Sequence, residues 1–252
     1  MNYKPGLVSI SFRPYTPEEI LSAMSKCGLT YIEWGSDVHA PCNDLEKLDA
    51  IVKLQNQYGV QCCSYGTYFR VGVTPIAELE SYIDAARILG TDILRLWCGH
   101  KNSEDYTPEE KKYLFDQCRQ AAQMAEDRNV ILCMECHNNT YTNRKEGALE
   151  LMESIGSEAF RMYWQPNQFR SEAENLESAK LLAPYVVNIH AFNWQGHENQ
   201  VVDRYPLKDA VELWKKYLEY FNGDQVLMLE FMPDDRLESL DAEATALREI
   251  AE

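Results

Sequence analysis

The sequence predicts an α/β chain that closes as a single (β/α)8 TIM barrel over residues 1–252. Three observations lead there. Short apolar runs alternate with amphipathic stretches eight times along the chain. The 252 residues match the size of such a barrel, and no linker or low-complexity stretch divides them. The turn after the first apolar run, Ser11-Phe-Arg-Pro-Tyr15, lacks the Gly-rich fingerprint of a doubly wound nucleotide-binding sheet.

The elements follow in order. Leu7–Phe12 reads as the first strand, ending at Arg13-Pro14. Thr16-Pro17-Glu18-Glu19 opens a helix with a cap, a first-turn proline and early acids, and Gly28 stops it. Tyr31–Trp34 is the second strand, followed by a helix over 44–58 that Gly59 closes. Val60–Tyr65 is the third strand, and the helix opened by Thr74-Pro75 ends at Gly90. Asp92–Trp97 is the fourth strand, and Thr107-Pro108-Glu109-Glu110 repeats the earlier cap before a helix to about Asp127. The fifth strand begins at Val130, with a helix over 145–155 after it. Strands over 160–164, 185–190 and 225–230 alternate with helices over 172–182, 206–221 and 234–250.

Composition narrows the function classes. An apolar fraction of 45% supports a full core. No apolar run approaches the roughly 20 residues that cross a bilayer, and the N-terminus lacks a signal-peptide layout, so a cytoplasmic protein is expected. The eight cysteines fit that reducing compartment. Cys133-Met-Glu-Cys136 matches C-x-x-C, but it lies along a strand and has no second pair to complete a zinc site. The net charge of −16 repels nucleic acid and anionic membranes, so neither is expected as a partner.

The chemistry gathers where strands end. Val130-Ile-Leu-Cys-Met-Glu-Cys-His-Asn-Asn139 starts as a doubly buried strand and finishes in a carboxylate and an imidazole. In a barrel the active site sits at the C-terminal strand ends. Alternation puts Cys133 with Glu135, Asn188 with His190, and Met228 with Glu230 on shared faces. If those faces point inward, strands five, seven and eight deliver Glu, His and Glu to one volume, with Gln165 of strand six between them. Two carboxylates, one imidazole and one amide oxygen suit a divalent cation: Mn²⁺, Mg²⁺ or Co²⁺, with Zn²⁺ also compatible. A single strand-end acid is more often a satisfied structural group, so the signal lies in the set.

These residues carry a resemblance. Tyr31-Ile-Glu-Trp34, Glu135-Cys136-His137, His190, Asp203-Arg204-Tyr205-Pro206-Leu207 and Leu229-Glu230 are similar to the xylose-isomerase-like barrels grouped as sugar phosphate isomerases and epimerases, which include the ketose 3-epimerases. The resemblance implies a divalent-metal site on Glu135, Gln165, His190 and Glu230. It implies proton transfer by Glu135 and Glu230 on opposite faces of a cis-enediolate. It also implies sugar contacts from His137, Gln168 and Arg204, and an assembly that is commonly a dimer or tetramer. The family places an Asp and, three residues later, a His on strand six. This chain has Gln165 and Gln168 there, which removes one negative charge from the site.

Position alone adds Glu33, Arg95, Trp97, Asn193, Trp194 and His197 as candidate sugar contacts, and Trp34, Trp97, Trp164 and Trp194 as a candidate aromatic collar. The loops after strands seven and eight lack a phosphate-binding turn, so an unphosphorylated ketose or keto-sugar is the expected substrate. Two other readings use the same residues: a lyase or hydrolase on a keto-glycoside, and a non-catalytic sugar-binding barrel lacking the strand-six Asp. A DNA-repair nuclease, which shares the fold, is disfavoured by five histidines and the acidic charge.

Overall fold

The computed structural model describes residues 3–252. The barrel strands are β1 (Lys4–Val8), β2 (Tyr31–Gly35), β3 (Gln61–Val71), β4 (Ile93–Cys98), β5 (Ile131–Glu135), β6 (Phe160–Trp164) and β7 (Val186–Ala191). Then come a hairpin of β8 (Trp194–Gly196) with β9 (Val202–Arg204), and the last barrel strand, β10 (Val226–Leu229). Eight parallel strands close in the order β1–β2–β3–β4–β5–β6–β7–β10, and β10 pairs back to β1. The helices are α1 (Pro17–Lys26), α2 (Leu45–Tyr58), α3 (Leu79–Leu89), α4 (Pro108–Arg128), α5 (Lys145–Ile155), α6 (Glu172–Leu182), α7 (Val211–Leu218) and α8 (Leu240–Ala251), one after each barrel strand. The expected (β/α)8 barrel is the fold observed.

Local sequence explains where the helices start. Thr16 and Thr107 each accept from the backbone N–H three residues on, while Glu19 and Glu110 accept from the cap's own N–H. Ser171 and Glu174 form a third such box at α6. Each cap satisfies orphan donors and stabilises its helix by about 1 kcal/mol. The α4 stripe of Leu114, Phe115, Cys118, Ala121, Ala122 and Ala125 is buried against the barrel, as its 3.6-residue spacing requires.

Two cores result. The larger lies between strands and helices. It includes Trp34, whose indole N–H donates to Gln55 at 2.8 Å, and Trp164, which packs edge-on against Trp214 and Tyr217. The smaller fills the barrel lumen with Val8, Cys133, Tyr163 and Met228, flanked by Cys63. This settles the collar. Trp34 and Trp164 each follow an inward-facing residue, Glu33 and Tyr163, so alternation turns them outward into the helix layer. Only Trp97 and Trp194 of the four remain near the mouth. All eight cysteines are free. Cys133 faces the lumen and Cys136 the outer layer, so the C-x-x-C sulfurs lie on opposite sides of the strand.

Three local differences bear on the site. The first strand stops at Val8, and Ser9–Phe12 forms a buried 3-10 turn. The third strand does not end at Tyr65 but runs to Val71, with register shifts at Ile32/Glu33 and between Gly66 and Arg70. The antiparallel β8–β9 hairpin was not anticipated. It rises from the loop between β7 and α7 and carries Trp194 and Arg204. No helix among the described residues is long and apolar enough to cross a membrane.

Candidate metal centre

The inward faces of β5, β7 and β10 converge as alternation requires. Ligand atoms of Glu135, His190 and Glu230 lie within 4.8 Å of one another, and all three residues are buried. His190 Nδ1 is 3.5 Å from Glu135 Oε1 and 3.5 Å from Glu230 Oε2. Gln165 joins them from just beyond β6, with its Oε1 3.0 Å from the same Nδ1. Three oxygen donors of the types a divalent cation takes therefore gather around one imidazole nitrogen. The donor set fits such an ion.

Beneath this cluster lies a second polar layer. Glu33 and Arg95, expected at the sugar-contacting rim, are instead sealed in the barrel interior at 0% and 1% exposure. Arg95 Nε donates to Glu33 Oε1 at 2.8 Å, and its Nη1 donates to Glu135 Oε2 at 2.6 Å. Ser64 Oγ donates to Glu33 Oε2 at 2.5 Å. The third strand makes room for this layer with a glycine. A Cβ at Gly66 would fall 2.5 Å from Glu33 Oε1 and 2.8 Å from Arg95 Nη2.

The electrostatics follow from these pairs. Burial works to raise the Glu33 pKa, but Arg95 and then His190 override it and hold the carboxyl at about 2. Burial opposes ionisation of Glu135 as well, and Arg95 again overrides it, holding the acid well below the usual range. Burial would lower the pKa of His190, yet Glu230 and Glu33 together push it well up in the metal-free protein. With Arg95 set against one carboxylate, Glu33, Glu135 and Glu230 leave two negative charges. That matches one divalent ion beside a neutral imidazole.

Trp97 is the hub of the mouth. Its Nε1 donates to Glu135 Oε2 at 2.6 Å, so that oxygen is held by both an indole and a guanidinium. The Arg70 guanidinium lies 4.3 Å from the Trp97 ring, and the rings of Tyr68 and His137 pack against it at 5.2 and 5.3 Å. A cavity of about 240 Å³ beside the cluster is walled by His137, Gln165, Gln168 and Trp194. Arg204 pairs with Asp235 at 2.6 Å and lies over the Phe231 ring at 4.6 Å. Asn193 and His197 are tied into the hairpin. Asn193 donates to the Pro206 carbonyl at 3.0 Å, and His197 pairs with Asp203 at 2.9 Å in solvent.

Sequence reading missed Ser64, Tyr68, Arg70 and Phe231. Phe231, next to Glu230, has a left-handed φ of 46°, and its N–H donates to Ser11 at 2.8 Å. A bulky residue in that region stores strain, and the bond to Ser11 anchors the backbone next to Glu230. No local signal marks it, because the partner Ser11 is at the other end of the chain.

The fold and this centre define a (β/α)8 barrel with a carboxylate–imidazole–amide cluster at its strand ends. The chain belongs to the xylose isomerase-like TIM barrel family, which matches residues 21–250. A curated relative, the 3-dehydroshikimate dehydratase of Bacillus anthracis, is 23% identical over 119 residues. That match spans 47% of this chain and 42% of the dehydratase, so less than half of the relative's length is covered. Solved structures extend the likeness in fold to the whole chain. A probable 3-DHS dehydratase from Bacillus anthracis superposes with a TM-score of 0.76 at 17% identity, covering 98% of both chains. A xylose isomerase-like barrel from Mycobacterium smegmatis, solved with magnesium, gives 0.73 at 13% identity over 99% of this chain and 96% of the other. D-allulose 3-epimerase from Methylomonas sp., solved with D-allulose, gives 0.69 at 13% identity over 97% and 95%.

Proposed function

We propose that the protein is a divalent-metal-dependent enolising enzyme acting on a small unphosphorylated ketose or keto-sugar, with isomerisation or epimerisation as its first reading. The observation that carries this is the meeting of Glu135, His190 and Glu230 within 4.8 Å at the strand ends, with Gln165 beside them. A divalent ion held by these four residues would supply Lewis-acid polarisation of the substrate carbonyl. Glu230 is the base that takes the proton from the adjacent carbon. Among the described residues, no arginine or indole N–H binds its carboxylate, and the His190 imidazole lies 3.5 Å away. His137, Gln168 and Trp194 line the cavity in which sugar hydroxyls would lie. Burial of the cluster excludes bulk water from the enediolate.

A second reading, elimination of a β-hydroxyl as water, is favoured by the state of Glu135. Epimerisation needs a proton donor on each face of the reacting carbon. Glu135 Oε2 accepts from both Arg95 and Trp97, and this pairing makes Glu135 a firm ligand and a weak base. One-base chemistry needs only Glu230, which takes the proton from carbon and returns it to the neighbouring carbon in 1,2-isomerisation or to the departing β-hydroxyl, released as water, in dehydration. The fold likeness to 3-DHS dehydratase accords with this reading, and that to D-allulose 3-epimerase accords with the first.

The two readings separate in one assay. Mn²⁺-loaded protein is incubated in D₂O with a panel of free ketoses, 3-keto-sugars and hydroxylated cyclic ketones, and each reaction is followed by NMR. Deuterium entering the carbon beside the carbonyl is expected for at least one compound. A saturated stereoisomer or positional isomer identifies isomerase chemistry, and an unsaturated product with release of water identifies a lyase. No exchange into any member of the panel would overturn the proposal.

A further inference from the structure

If His190 is a metal ligand as proposed above, its two ring nitrogens have different tasks. Nδ1 faces Glu135, Gln165 and Glu230. Nε2 points the other way, is fully buried, and has no hydrogen-bond partner. A buried polar atom left unpartnered is costly and calls for a reason. The oxygen facing it is Glu33 Oε1, at 3.6 Å, a few tenths of an ångström beyond a hydrogen bond.

A neutral imidazole carries one proton, on one nitrogen or the other. For Nδ1 to offer a lone pair to a cation, the proton must sit on Nε2. Something must then hold it there, or the ring divides between two tautomers and only one of them binds. Glu33 is placed for that task as well as for pairing Arg95. It is 0% exposed and cannot reach a substrate at the mouth. Its two oxygens are fixed by Arg95 and Ser64, so the carboxylate cannot swing away. Arg95 continues from Glu33 to Glu135, which links the layer beneath to a second candidate ligand. Gly66 leaves the space in which Glu33 and Arg95 meet.

We propose that Glu33 is a positioning residue for the metal centre: held by Arg95 and Ser64, it accepts the Nε2 proton of His190 and keeps Nδ1 free as the metal donor. Carboxylate, imidazole and cation then stand in line, the carboxylate orienting the ring and making it a better donor. This role differs from that of Glu135 and Glu230. Glu33 touches neither substrate nor metal and acts through another side chain.

The test uses the whole protein, with [¹⁵N]His labelling, and Mn²⁺ and Mg²⁺ alone as probes. Long-range ¹H–¹⁵N spectra of the Mg²⁺-loaded wild type are expected to show His190 protonated at Nε2 and bare of hydrogen at Nδ1. Glu33→Gln keeps the shape but offers a much poorer acceptor. It is expected to weaken Mn²⁺ binding in calorimetry by about 10- to 100-fold and to leave His190 in mixed tautomers, with the circular dichroism spectrum unchanged. Unchanged Mn²⁺ affinity in a folded Glu33→Gln protein would overturn the inference and leave the metal-site reading intact. If that variant fails to fold, the wild-type spectrum still decides, because a proton on Nδ1 in the Mg²⁺-loaded protein overturns the proposal. A wild type that binds neither Mn²⁺ nor Mg²⁺ overturns the metal-site reading and this inference with it.

Discussion

Glu230→Gln is expected to lower turnover by about three orders of magnitude while leaving the barrel folded, within the range that removal of a general base commonly costs. Glutamine keeps the length of the side chain and an oxygen for the metal. What it loses is the capacity to take a proton from carbon. The backbone around it should not move, because the Glu230 N–H donates to the Ala191 carbonyl at 3.0 Å and Phe231 is anchored to Ser11. The effect should fall on kcat more than on KM, since the lost interaction develops only in the transition state. Deuterium wash-in from D₂O reads the same step without depending on the later fate of the intermediate. A Glu230→Gln protein that still exchanges the substrate proton at the wild-type rate would shift the role of base to Glu135.

Arg95→Met is expected to have the largest effect on stability, about 3–5 kcal/mol in urea denaturation of the metal-free protein. Arg95 is buried between Glu33 and Glu135 and donates to both. Methionine fills much of the volume but leaves Glu33 and Glu135 in the lumen with only the His190 imidazole, at 3.6 and 3.5 Å, set against them. The loss is the cost of that missing buried countercharge and not the worth of a surface salt bridge. Arg95→Lys should fall in between. It keeps the charge, but its single nitrogen cannot replace the Nε and Nη1 donors that serve the two acids separately. Added Mn²⁺ should restore part of the stability of Arg95→Met, because the metal then supplies countercharge to Glu135 in place of the lost guanidinium. An Arg95→Met protein as stable as the wild type would mean that Glu33 and Glu135 are not both ionised in the fold.

The barrel was legible because each signal agreed with the others. Strand-length apolar runs alternated with capped helices, and the caps at Thr16 and Thr107 fall where the helices begin. The centre was legible through the two-residue period of a strand. Knowing that Cys133, Asn188 and Met228 face the lumen is enough to place Glu135, His190 and Glu230 above them. The layer beneath was not legible as such. Glu33 follows Tyr31-Ile32 and precedes Trp34, so it reads as the polar end of a strand. Its burial depends on Arg95, 62 residues away. The register shift at Ile32/Glu33, which sets Glu33 opposite Ser64, has no local signature. The aromatic collar misled for a similar reason. A tryptophan at a strand end faces in or out by parity alone, and Trp34 and Trp164 fall on the outward parity. The β8–β9 hairpin escaped because strands of three residues carry too little pattern to be read.

Gln165 stands where the sequence resemblance implies an Asp ligand, and it is the weakest donor of the proposed metal centre. Calorimetric titration of the metal-free protein with Mn²⁺, set beside the same titration of Gln165→Asp, tests it directly. One ion per chain is expected in the wild type. Binding roughly tenfold tighter is expected in Gln165→Asp, where a carboxylate replaces an amide next to His190 Nδ1. No uptake by either protein, or an affinity that is the same in both, would contradict a metal centre built on Glu135, Gln165, His190 and Glu230.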